Sequence, residues 1–66
     1  MTEITSKDKL REVRREIGYR SHVYARLVGQ GKMTKDEAEK KIAVMTAIEV
    51  DYARIVQREE EAGRLI

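Results

Sequence analysis

The sequence contains no cysteine, no proline, no phenylalanine and no tryptophan, and its apolar residues never run together for long. Without cysteine there is neither a disulfide framework nor a thiolate metal site. The single histidine, His22, needs carboxylate help to hold zinc. Without proline no position forbids helix. A membrane-spanning helix needs about 18 or more consecutive apolar residues, and no stretch here reaches that. Met1 to Ser6 lack the basic stretch and apolar run of a signal peptide, so none is expected. With 66 residues, the chain has room for one domain, and a domain this small buries only about 60% of its unfolded surface. With disulfides and thiolate metal sites excluded, oligomerisation is the common remaining route to stability.

What is present is helix-forming and charged. Glutamate, arginine, alanine and lysine are the frequent helix formers, a composition that favours helix throughout. The net charge of +2 is unevenly spread: Lys7 to Lys32 holds eight basic and three acidic residues, Met33 to Ile66 six basic and eight acidic. A basic first half and an acidic second half can hold two segments together or aim one face at an anionic partner.

The segment Gly29-Gln30-Gly31-Lys32-Met33-Thr34-Lys35-Asp36-Glu37-Ala38 divides the chain. Its glycines suit a helix end. Thr34 followed by Glu37 has the spacing of a capping box, with Met33 and Ala38 at the positions of a hydrophobic staple. The spacing predicts helix one over about 6–29, a turn over 29–34 and helix two over about 35–62. The predicted fold is therefore all-α, a two-helix antiparallel hairpin forming a single domain over 1–66.

Helix one is expected to start near Thr5 or Ser6, with Asp8 in its first turn where negative charge is favoured. Its apolar face is Leu10, Val13, Ile17, Tyr24, Leu27 and Val28, with a gap at Arg20 and Ser21. Gly18 interrupts the helix and either admits a neighbouring helix or is tolerated slack, at roughly 1 kcal/mol against alanine. In helix two, Ala38, Ile42, Met45, Ile48, Tyr52, Ile55 and Val56 cover one side, and Val44 and Ala53 widen it to nearly half the circumference. Gly63 is the expected stop, with Leu65 folding back. One partner helix cannot cover so broad a face. The pattern predicts a homodimer in which two hairpins form a four-helix bundle; the alternative is a monomer whose exposed strip meets another protein.

Candidate functional residues fall into sets. Arg11, Arg14, Arg15, His22 and Arg26 lie on the outer side of helix one, bordered by Tyr19, and suit phosphates or an acidic surface; the plainer reading is a solvated face neutralised by Glu12 and Glu16. Arg20 on the seam calls for a carboxylate, and Glu49 is the expected partner, fixing register; alternatively its head snorkels to the edge. Tyr24 and Tyr52 read as core with hydroxyls at the rim. Glu59-Glu60-Glu61 reads as a solvated end, or as an acidic mimic of phosphate. No nucleophile pairs with His22 and no carboxylate pair faces a pocket, so no catalytic residue, metal or cofactor is expected. Small helical chorismate mutases use arginines on long helices too, but need three helices and a buried polar site.

The run from Tyr19 to Thr34, with the pattern V-Y-x-R-x-V-x-x-G-x-M-T from Val23, is followed by I-x-x-M-x-A-I-x-x-D-Y over Ile42 to Tyr52. Over roughly Leu10 to Val56 the chain resembles a family of small helical proteins encoded in phages and prophages of proteobacteria. It is similar to that family's quorum-sensing anti-activators from Pseudomonas phages. The resemblance implies a helical dimer in the cytoplasm of an infected bacterium. It also implies binding to the DNA-binding region of a host LuxR-type transcription activator, and a second target in the type IV pilus assembly ATPase. It assigns no binding residue. Electrostatic complementarity to a basic DNA-binding surface selects Asp36, Glu37, Glu39, Glu59, Glu60 and Glu61 as contact candidates. The rival reading is a small phage DNA-binding or transcription-modulating protein using the arginine stripe directly.

Overall fold

A computed structural model describes residues 3–64. Two helices, α1 (Ser6–Gly29) and α2 (Lys35–Arg64), pack against each other, with no strand among the described residues. Helix α1 begins at one of the two expected positions. Thr5 sits outside it in extended conformation (φ −95°, ψ 165°); its hydroxyl accepts from the Asp8 N–H and its own N–H donates to the Asp8 carboxylate, both at 3.1 Å. This closes a capping box with aspartate in the third position.

The turn ends α1 by satisfying its last carbonyls. Gly31 takes φ 72°, its N–H donates to the Val28 carbonyl, and the Lys32 N–H donates to the Leu27 carbonyl. That pair of bonds is the Schellman arrangement, which needs a left-handed residue at Gly31. Helix α2 then starts from Thr34, whose hydroxyl accepts from the Glu37 N–H at 3.1 Å. The expected return bond from Glu37 to Thr34 is not formed; Asp36 and Glu37 instead lie in the first turn, where the helix dipole favours negative charge. Gly63 does not stop α2, which runs through it to Arg64: a solvated last turn tolerates glycine. Leu65 lies outside the described residues.

Twelve of the half-buried and buried positions follow one rhythm, Leu10, Val13, Ile17, Arg20, Tyr24 and Leu27 on α1, and Ala38, Ile42, Met45, Glu49, Tyr52 and Val56 on α2, while Glu16, Val23, Val28 and Ala53 flank it. Alternating steps of three and four make a coiled-coil seam, which leaves Arg20 and Glu49 in line with the apolar residues. The seam seals little. Only Leu10 (7% exposed) and Val56 (8%) are buried, and Ile48 and Ile55, expected with the core, are each 36% exposed. The reason is angular: at about 100° per residue they lie nearly a quarter-turn off the seam. The result is a plate with principal extents of 54 × 26 × 12 Å.

Candidate interaction surface

The ends and edges of the plate are tied by polar contacts that join α1 to α2. At the open end the Ser6 hydroxyl donates to Glu59 at 3.0 Å and Lys7 pairs with Glu60 at 3.4 Å. Further in, the Lys9 ammonium lies 5.7 Å from the centre of the Tyr52 ring, a cation–π distance. Arg14 donates to Glu49 at 2.9 Å.

This last contact corrects two expectations. Arg20 does not pair with Glu49; it donates to Glu16, one turn back on its own helix, at 2.8 Å. In the antiparallel register Arg20 lies beside Val44 and Met45, about a turn past Glu49, while Arg14 lies within reach of it. Arg14 in turn is not on the outer stripe: it turns inward along the flank. The bond to Glu16 raises the pKa of the Arg20 guanidinium, so it stays a fixed cation.

The rest of the basic stripe is largely neutralised in place. Arg11 pairs with Asp8 at 3.8 Å and Arg15 with Glu12 at 3.0 Å. His22 and Arg26 make no ion pair among the described residues. The Thr5 backbone and hydroxyl hydrogen bonds, aided by Arg11, hold the Asp8 carboxyl below its ordinary pKa of 3.8.

The acidic candidates fall into two groups that one hairpin does not bring together. Asp36, Glu37 and Glu39 stand at the turn end, and none makes an ion pair among the described residues. Glu59, Glu60 and Glu61 stand about 35 Å away along α2. That group is engaged within the chain, by Ser6, Lys7 and Gln57 respectively. No three metal-ligating side chains gather among the described residues, and none of the described helices is long and apolar enough to cross a membrane.

Two apolar flanks remain open. Near the turn, one is a shallow trough in which Tyr24, Val28 and Ile42 stand among the smaller Ser21, Ala25, Ala38 and Ala43, with Lys35 and Glu39 at its rim, and Val50, 39% exposed, lies further along that side of α2. The opposite flank carries a run of large apolar side chains: Val44 is 56% exposed, and Ile48 and Ile55 follow it down α2. Arg20, Lys40 and Lys41 edge that side towards the turn. The breadth of the α2 face announced this strip in the sequence. The half-buried Val23 and the bridging Lys7 and Lys9 were not singled out, and Glu49 was assigned to Arg20 instead of Arg14, because these roles depend on which flank meets which. No protein family, curated protein or solved structure matches the chain.

Proposed function

We propose that the chain is a non-catalytic binding protein that works as a homodimer, its hairpins associating into a four-helix bundle. The observation that carries this reading is how little a single copy covers. A compact monomer of 7.7 kDa exposes about 4,300 Å², whereas this chain exposes 5559 Å². Its radius of gyration is 15.6 Å, against about 11 Å for a globular chain of 66 residues. Val44, Ile48, Val50 and Ile55 are among the exposed side chains, and a second protein surface is what removes such a strip from water.

The target of the dimer is proposed from the resemblance set out above: the DNA-binding region of a host LuxR-type transcription activator, blocked sterically, with the type IV pilus assembly ATPase as a second partner, in the cytoplasm of a phage-infected bacterium. The candidate contacts for that target are Asp36, Glu37 and Glu39, which make no ion pair among the described residues; nor do the lysines flanking them, Lys32, Lys35, Lys40 and Lys41. The rival is direct DNA binding by the stripe. It is disfavoured because Arg11, Arg14 and Arg15 already hold carboxylates, and phosphates would have to displace them.

The test is fluorescence anisotropy of a labelled quorum-sensing promoter fragment. Added to the preformed activator–DNA complex, the protein releases free DNA; added to DNA alone, it leaves the signal unchanged. Salt-sensitive binding to naked DNA would instead establish the rival.

A further inference from the structure

We propose that the flank carrying Val44, Ile48 and Ile55 is the face on which a second copy docks, with the two α2 helices antiparallel and the two-fold axis passing between Ile48 and Tyr52. This rests on the dimer reading and adds its face, orientation and register.

The face is chosen by where the large apolar side chains are left. Along α2, Glu37, Lys41, Val44, Ile48, Tyr52, Ile55, Glu59 and Ala62 follow one another at intervals of three or four. That spacing makes a second seam, turned nearly a quarter-turn from the one that meets α1. Three of its apolar residues are at least 36% exposed, Val44 most of all. On the opposite side α2 presents Glu39, Ala43, Thr46, Val50, Ala53 and Gln57, where Val50, 39% exposed, is the one large apolar residue, so no second run of large apolar side chains competes there. The area agrees: two separate copies expose about 11,100 Å² and a compact particle of twice the mass about 7,200 Å², so compacting the pair would bury about 3,900 Å². That falls in the range of obligate homodimers, roughly 2,000–5,000 Å².

Orientation is chosen by charge. Within the second seam Lys41 immediately precedes the run Val44 to Ile55 and Glu59 immediately follows it. Parallel helices would set Lys41 against Lys41 and Glu59 against Glu59. Antiparallel helices set Lys41 of each copy against Glu59 of the other, twice by symmetry. Both side chains are available: Lys41 makes no ion pair among the described residues, and Glu59 has given only one carboxylate oxygen to Ser6. Setting Lys41 opposite Glu59 also sets Ile48 opposite Tyr52 about a midpoint at residue 50, and it brings Val44 within one residue of the position facing Ile55.

The absence of native cysteine makes the test direct. Val44→Cys and Ile55→Cys proteins, each confirmed helical by circular dichroism and dimeric by sedimentation, are mixed and oxidised mildly. The expected product is the mixed 44–55 disulfide, since a disulfide forms only where the two β-carbons come within about 4.5 Å. In parallel, Lys41→Glu and Glu59→Lys each weaken the dimer about tenfold, and together they restore it. Links of 44 to 44 and 55 to 55 would overturn the orientation. A dimer that forms neither kind of link would overturn the face. A wild-type chain that sediments as a monomer would overturn the dimer reading itself, an outcome distinct from the other two.

Discussion

Two glycines show how differently the same residue is used. At Gly31 the backbone is left-handed (φ 72°), whereas a β-carbon at Gly18 would meet nothing within 4 Å in a single hairpin. Gly31→Ala is therefore expected to lower stability by about 1–2 kcal/mol, and Gly18→Ala to raise it by about 1 kcal/mol, read as opposite shifts in thermal melts. The sequence left open whether Gly18 admits a neighbouring helix; within the hairpin α2 does not approach it. Asp8 adds a pH dependence with a definite sign. Its folded pKa lies below the ordinary 3.8, so its contribution is present above that value and is lost as pH falls through the folded pKa. Helicity between pH 5 and pH 2 should therefore fall less in an Asp8→Ala variant than in the wild type, when each is compared with its own value at pH 5. Caps and this first turn were legible because they depend on residues three apart. The Arg20 partner was not, because choosing between Glu16 and Glu49 requires the relative register of two helices.

At the level of the helix, the three–four rhythm of each segment was readable, and so was the breadth of the α2 face. What the sequence could not separate is that this breadth is two seams rather than one: Ile42, Met45 and Val56 face α1, while Val44, Ile48 and Ile55 face away from it. A hydrophobic stripe records that residues leave water and is silent about which neighbour receives them. The acidic candidates divide in the same way. Glu59, Glu60 and Glu61 have partners within the chain, so the turn-end group should govern binding to a basic target. On the proposed function, reversing Asp36 and Glu39 to lysine is expected to weaken inhibition of the proposed activator target at least tenfold while leaving the sedimentation of the protein unchanged. Arg11→Glu and Arg15→Glu should leave inhibition intact. The reverse pattern would place the target on the other side of the molecule.

For the whole molecule, the proposed dimer links stability to association: a chain that seals two residues alone would gain most of its burial from the second copy. The melting temperature should rise with protein concentration, on the order of 5 °C for each tenfold increase; a melting temperature independent of concentration would belong to a self-sufficient monomer. The 12 Å thickness of the plate also bears on how substitutions will read. Apart from Leu10 and Val56, every described side chain reaches solvent in the single copy, so few positions are held in place by the fold alone. A saturating mutational scan scored on activity would therefore trace the outlines of what the protein touches far more than the packing of its interior.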